Sequence, residues 1–155
     1  MEQKTRITAE DGKQELLITR EFALPVELLF KAHAEPDLVE QWMGTKVLVF
    51  EGRKHGSYRF ETTDATGRVV FRASGVIHEF VPDQKITRTF EMENAPFPAQ
   101  LEFLEFEKLT ANTSRLVMHI LYKSVASRDQ VLRLPFAPGL NMAHDRLQTV
   151  ANKLK

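Results

Sequence analysis

The 155-residue sequence contains no cysteine. This absence excludes disulfide bonds, thiolate catalysis and zinc sites with cysteine ligands. The sequence also has no excess charge of either sign, because 21 Lys and Arg residues balance 21 Asp and Glu residues. Nucleic-acid binding depends on clustered positive charge, so nucleic acid is not an expected partner.

Long apolar runs are equally absent from the sequence. No stretch approaches the roughly 20 apolar residues that a membrane-spanning helix needs. Residues 1–13 are polar and charged, without the apolar centre of a secretory signal. We therefore expect no membrane span and a cytoplasmic location, with which the lack of cysteine agrees.

The remaining composition is that of a globular protein, with 43% hydrophobic and 27% charged residues. A domain of about 150 residues buries roughly 68–70% of the surface of its unfolded chain, which is enough for one core. No repeat, low-complexity segment or linker interrupts the sequence. We predict a single domain over residues 1–155, with 1–13 as a polar lead.

The periodicity of the apolar residues predicts an α+β fold. Glu15–Phe22 alternates like a strand, and two short helices follow, each opened by a proline, Pro25 and Pro36, before Gly44 ends the second. Strand-like segments separated by turn signals then cover 46–51, 57–62, 68–81, 85–92, 100–108 and 115–122. Their close spacing is typical of an antiparallel meander.

The end of the sequence changes to a helical period. Apolar residues recur every three or four positions at Leu140, Ala143, Leu147, Val150, Ala151 and Leu154. The opposite face carries Asp145, Arg146, Gln148 and Lys153. Pro135 and Pro138-Gly139 separate this helix from a short helical stretch over 127–134. We expect the terminal helix to pack across the concave face of the sheet.

Short motifs also occur in a fixed order along the sequence. The first are 18–22 (ITREF), 25–32 (PVELLFKA), 35–38 (EPDL) and 41–44 (QWMG). The later ones are 56–60 (GSYRF), 75–82 (GVIHEFVP), 85–93 (KITRTFEME) and 141–147 (NMAHDRL). Together they resemble bacterial members of the activator of Hsp90 ATPase homolog 1-like family, within the START/Bet v 1-like (SRPBCC) superfamily.

The resemblance implies a helix-grip fold, in which a curved antiparallel sheet of six to seven strands surrounds a long C-terminal helix and leaves a cavity between them. Relatives bind lipids, hormones or polyketides, some cyclise polyketides, and the eukaryotic namesakes stimulate the Hsp90 ATPase. The sequence departs from the family pattern at Met43, where a second Trp is usual, at Gly44-Thr45 and at Leu24. These departures concern the cavity mouth and helix packing.

Six residues are candidates for the lining of such a cavity: Trp42, Tyr58, Phe60, Arg88, Phe90 and Met142. The aromatic and methionine side chains fit either a cavity wall or plain core packing. Arg88 shares a strand face with Ile86 and Phe90, so it points inward if they do. A buried guanidinium needs an anionic partner, which is either a ligand head group or a salt bridge to a neighbouring strand.

Other candidate chemistry is weaker. The histidines, His33, His55, His78, His119 and His144, show no metal-ligand spacing, and each fits a solvated or locally bonded side chain. Glu91 and Glu93 share a strand face and fit a solvated surface better than an acid–base pair. No nucleophile motif is present. We assign no catalytic residue, no metal and no cofactor.

Three functions therefore compete. The leading hypothesis is binding of a small apolar or amphipathic molecule in the cavity. The second is a cyclase- or hydrolase-like enzyme, which requires at least two titratable groups converging inside the cavity. The third is a protein-interaction role such as an Hsp90-type co-chaperone. The sequence is compatible with a monomer or a homodimer.

Overall fold

The computed structural model describes residues 3–155, which form eight strands and four helices. The strands are β1 (Arg6–Thr8), β2 (Glu15–Phe22), β3 (Lys46–Phe50), β4 (Ser57–Thr63), β5 (Val69–Val81), β6 (Lys85–Met92), β7 (Gln100–Lys108) and β8 (Ser114–Leu121). The helices are α1 (Val26–Ala34), α2 (Pro36–Met43), α3 (Val125–Leu132) and α4 (Phe136–Asn152). The α+β class is confirmed, and the predicted strands differ from the observed ones by one residue at most at either end.

All strands belong to one antiparallel sheet with the order β1-β2-β8-β7-β6-β5-β4-β3. From β3 to β8 each strand pairs with the next in sequence, which confirms the predicted meander. β2 then pairs with β8, the last strand of the chain. Register shifts interrupt the ladders at Val47/Val49, Thr62/Thr63 and Ile77/Glu79, and bulges of this kind bend a sheet.

The strand count corrects the prediction of six to seven strands. The additional strand is β1, which lies within the segment expected to be a polar lead and pairs with β2 at the edge of the sheet. Its three residues, Arg6, Ile7 and Thr8, are mostly exposed, and only Ile7 is partly buried against the core. A strand of three residues with one apolar side chain is too short to be recognised from its sequence pattern.

The two early helices begin where their prolines predict. Pro25 is the residue that caps α1, and Pro36 occupies the first turn of α2. Gly44 ends α2 with a positive φ of 65°, a conformation that costs glycine little. The indole nitrogen of Trp42 donates a hydrogen bond of 2.8 Å to the carbonyl of Ala32, which ties the end of α2 to α1.

The terminal helix α4 begins at Phe136, four residues earlier than its apolar stripe suggests. Pro138 and Gly139 lie in its first turn, where a proline sacrifices no helical hydrogen bond. At the other end, Leu154 lies beyond the last helical residue and is exposed, so it does not continue the apolar stripe.

One residue expected on the outer face of α4 is buried instead. The Gln148 side chain is 8% exposed and accepts a hydrogen bond of 2.9 Å from the Ala23 backbone N–H. The same amide group donates to the Ala23 carbonyl at 3.3 Å. Ala23 lies in the connection between β2 and α1, where the backbone has no strand partner, so a polar helix residue satisfies it.

Polar contacts also fasten α4 to the inner face of the sheet. Arg20 on β2 is buried and forms a salt bridge of 2.8 Å with Asp145 on α4. The Arg20 guanidinium also lies 5.2 Å from the centre of the Phe22 ring. The helix therefore lies against the β2 end of the sheet, and the site described next occupies the space between the helix and the middle strands.

Candidate functional site

A cavity of about 210 Å³ lies between the sheet and the helices α1, α2 and α4. The sheet contributes Ile18, Phe60, Arg88, Phe90, Gln100, Glu102, Leu104, Met118 and Ile120 to its lining. The helices contribute His33, Val39, Trp42, Met43, Phe136, Leu140, Ala143 and His144. Most of these side chains are apolar, and the few polar ones lie on both sides of the cavity.

Four of the six predicted lining residues contact this cavity: Trp42, Phe60, Arg88 and Phe90. Tyr58 is buried, but it lies behind Arg88, whose guanidinium is 5.2 Å from the centre of the Tyr58 ring. The Tyr58 hydroxyl donates to the Thr89 carbonyl within the sheet. Met142 is 59% exposed because it lies on the outward face of α4, next to the cavity-lining Ala143.

An ion pair forms the polar part of the sheet side. Arg88 Nε donates to Glu102 Oε1 at 2.9 Å, and the two side chains are 12% and 6% exposed. Gln100 Nε2 donates to the other oxygen, Glu102 Oε2, at 2.7 Å. Arg88 and Glu102 face each other across the β6–β7 ladder. Of the two partners considered for Arg88, the structure contains the salt bridge to a neighbouring strand.

His33 is the first of two buried histidines on the helix side. Its Nδ1 lies 2.9 Å from the Leu29 carbonyl, and its ring centre lies 5.1 Å from that of Trp42. Burial, together with the positive charge of Arg88, lowers the pKa of His33 to about 4, although the bond to Leu29 acts in the opposite direction. His33 is therefore uncharged at neutral pH.

His144 on α4 is the second buried histidine. Its Nδ1 lies 2.7 Å from the hydroxyl oxygen of Thr5, and its ring centre lies 6.2 Å from that of Trp42. Burial lowers the pKa of His144 to about 3, and the charges of His33 and Arg20 act in the same direction. Trp42 thus lies between two uncharged imidazoles at the wall of the cavity.

The sequence offered signals for the polar residues that the predicted set omitted. Glu102 lies two residues before Leu104 and four before Phe106, so the three share the inner face of β7. In the same way, Arg20 shares the inner face of β2 with Ile18 and Phe22. His33 follows Leu29 by four positions, at the spacing of the buried face of α1. A polar residue at such a position points inward together with its apolar neighbours.

A metal site and a membrane-spanning helix are two further features that the described residues could contain. Within residues 3–155, no group of three or more His, Asp or Glu side chains is arranged to hold a metal ion. No helix in the same range is long and apolar enough to span a membrane. His119 is bonded to Glu15 on the opposite face of the sheet from the cavity, at 2.7 Å.

Solved structures share this fold along nearly the whole chain. A Rhodobacter sphaeroides protein has a TM-score of 0.85 at 22% identity, and the match covers 97% of this chain and 99% of that chain. A Mycobacterium smegmatis protein has a TM-score of 0.81 at 19% identity, with 95% and 96% covered. An Arthrobacter aurescens protein has a TM-score of 0.84 at 14% identity, with 96% and 91% covered. At these identities the similarity shows the fold, an open sheet around a terminal helix of the helix-grip type.

The sequence itself places the chain in a family. None of the curated proteins is similar enough to match it. Residues 23–152, however, match the family model described as activator of Hsp90 ATPase homolog 1-like protein. The matched residues include all four helices and every strand from β3 to β8. This match agrees with the ordered motifs of the sequence and with the cavity between sheet and helix: the chain belongs to the activator of Hsp90 ATPase homolog 1-like family.

Proposed function

We propose that the protein binds a small apolar or amphipathic molecule in the cavity between the sheet and α4. The observation that carries this proposal is a largely apolar cavity whose polar groups are few and localised. Ligand pockets combine these two properties, since apolar walls provide affinity and a few polar groups fix the orientation.

The size of the cavity limits the ligand. A volume of about 210 Å³ lies below the usual range of roughly 300–1,000 Å³ for drug-sized ligands. A cavity of about 150 Å³ accommodates benzene. A ligand of one or two fused rings with small substituents therefore fits without any rearrangement of α4.

Native mass spectrometry of the purified protein, with analysis of an organic extract, tests the proposal. We expect a co-purifying small molecule that is lost when Ala143→Phe fills the cavity from the helix side. Met142→Phe is the matched control, because it adds the same ring to the neighbouring, exposed position. A ligand retained by Ala143→Phe, or lost equally in both variants, contradicts binding in this cavity.

A second candidate is an enzyme that uses the same cavity, and the convergence of four titratable side chains favours it. Arg88 and Glu102 lie on the sheet side, and His33 and His144 lie on the helix side. Incubating the extracted molecule with the protein, followed by mass spectrometry, tests for conversion. Conversion that His33→Gln abolishes while binding persists would support catalysis, and an unchanged molecule would leave binding as the function.

A further inference from the structure

We propose that the ligand is an uncharged ring compound whose hydroxyl group is recognised by the histidine pair formed by His33 and His144. This inference rests on the proposed ligand-binding function and names the chemistry that the cavity selects. It follows from the hydrogen bonds that fix each imidazole from outside the cavity, and from the charge balance of the lining.

The Leu29 carbonyl fixes the tautomer of His33. A carbonyl oxygen only accepts hydrogen bonds, so the proton of the neutral ring must lie on Nδ1, which is 2.9 Å away. Nε2 then carries a lone pair and is an acceptor. No hydrogen bond joins this Nε2 to another residue within 3–155, and the ring lines the cavity. His33 therefore offers a ligand an acceptor.

Thr5 fixes the opposite tautomer in His144. The Thr5 hydroxyl oxygen lies 3.4 Å from Arg20 Nη1, and a guanidinium only donates. Among the described residues, the hydroxyl hydrogen then has one acceptor within reach, His144 Nδ1 at 2.7 Å. The proton of the neutral His144 ring consequently lies on Nε2. His144 therefore offers a ligand a donor.

The two histidines together match the bonding capacity of a hydroxyl group. A hydroxyl donates one hydrogen bond and accepts others, so it can satisfy the acceptor of His33 and the donor of His144. Both rings flank Trp42, with centres 5.1 and 6.2 Å from the indole, which provides an apolar surface for the ring of the ligand. An ether leaves the acceptor of His33 unpaired, and a hydrocarbon leaves both histidines unpaired.

The charge balance of the lining disfavours an anionic ligand. The positive charge of Arg88 is already compensated by Glu102, and both carboxylate oxygens of Glu102 accept hydrogen bonds, from Arg88 and from Gln100. The cavity is therefore neutral as a whole. A carboxylate placed in it adds a buried charge without a countercharge and also lies near Glu102, which is unfavourable in an apolar environment.

Four naphthalene compounds of similar shape test this inference by isothermal titration calorimetry at pH 7 on protein stripped of any co-purified molecule. We expect 2-naphthol to bind about tenfold more tightly than 2-methoxynaphthalene, the gain of one hydrogen bond, and more tightly still than naphthalene, which can make neither bond. We expect 2-naphthoate to bind most weakly of the four. The His33→Phe variant, which keeps an aromatic ring, should remove the advantage of 2-naphthol over 2-methoxynaphthalene, because both can still accept from His144.

A variant outside the cavity separates recognition from folding. Thr5→Val removes the hydroxyl that fixes the His144 tautomer but leaves the lining unchanged, so it should reduce the 2-naphthol preference and leave naphthalene affinity intact. Equal affinities for all four compounds, or tightest binding of 2-naphthoate, overturn the hydroxyl assignment while the binding function stands. If no compound binds to the folded protein, the binding function fails as well.

Discussion

The two halves of α4 lie against the same sheet in different ways. In the C-terminal half, which we call the closed half, Leu147 and Ala151 are fully buried in the core. In the N-terminal half, Phe136, Leu140 and Ala143 are only partly buried and line the cavity. We call the N-terminal half the open half. Both halves belong to one continuous helix, so their difference in burial comes from the residues that each half faces.

Both halves have polar partners across the interface, since Asn141 in the open half accepts hydrogen bonds from the Thr5 backbone N–H at 3.0 Å and from the Arg20 guanidinium at 3.3 Å. Asp145 and Gln148 bond to Arg20 and to the Ala23 backbone, which draws that part of α4 onto β2. Facing the open half, Arg88 is satisfied by Glu102 within the sheet. The two halves therefore differ in the strands beneath them: the cavity lies beside inward charges, Arg88 and Glu102, that pair with each other within the sheet.

The largest expected effect comes from breaking the ion pair under the open half. Glu102→Gln leaves the buried Arg88 charge uncompensated, and removing one partner of a buried pair costs about 3 kcal/mol or more. We expect urea unfolding to report this loss of free energy of unfolding. The double variant Arg88→Met/Glu102→Leu should recover most of it, because no buried charge remains.

The matched control for this prediction is Glu93→Gln. It removes a partner of Arg59 in an exposed pair, with side chains 42% and 27% exposed for Arg59 and Glu93, so its effect should stay below about 1 kcal/mol. Equal losses for Glu102→Gln and Glu93→Gln would show that the cavity pair is solvated like a surface pair.

The second prediction compares one leucine from each half of α4. Leu147→Ala should lower the free energy of unfolding by about 3 kcal/mol, because it creates a void in the closed core. Leu140→Ala should cost about 1 kcal/mol, since Leu140 already borders a void and loses fewer contacts. Urea midpoints at constant m-value measure both. A reversed order would mean that the open half closes in solution.

The third prediction uses pH. His33 and His144 have pKa values lowered to about 4 and about 3 in the folded state. The unfolded state therefore binds protons first as the pH falls below about 6.5, and each histidine lowers stability by about 1.4 kcal/mol per pH unit from there towards about pH 4. The neighbouring charges are Arg88 beside His33 and Arg20 beside His144, and both reinforce the shift.

Chemical denaturation at pH 7 and pH 5.5 measures this dependence. His33→Phe should reduce the loss of stability between the two pH values. Phe106→Leu, a substitution next to the same ring, should lower stability about equally at both, because it removes no titrating group. The same pH dependence in His33→Phe as in the original protein would show that His33 is solvated.

Much of the fold follows from the sequence, because period-two and helical patterns mark elements that bury one face. Glu15–Phe22 and Gln100–Lys108 were predicted with their observed ends. β1 and the burial of Gln148 were not predicted, since both depend on backbone groups of other segments. Such tertiary bonds leave no periodic signal in the residues that make them.

The site was predictable only in part. Strand alternation predicted that Arg88 points inward together with Ile86 and Phe90, and Arg88 and Phe90 line the cavity. Met142 was proposed as a methionine on the terminal helix, but it lies about 100° round the helix axis from its neighbour Ala143 and is exposed. The histidine pair depends on Leu29 and Thr5, and the contact with Thr5 spans 139 residues of sequence.

The pairing of β2 with β8 has a consequence for how the chain folds. The strands from β3 to β8 can associate in sequence through short connections, but Glu15 and His119, which bond across the β2–β8 pairing, are 104 residues apart. Closing so long a loop is entropically costly, and sheets rich in distant contacts fold slowly, in milliseconds to seconds. We expect the meander to form early and the cavity to form last, when β2 and α4 dock onto it.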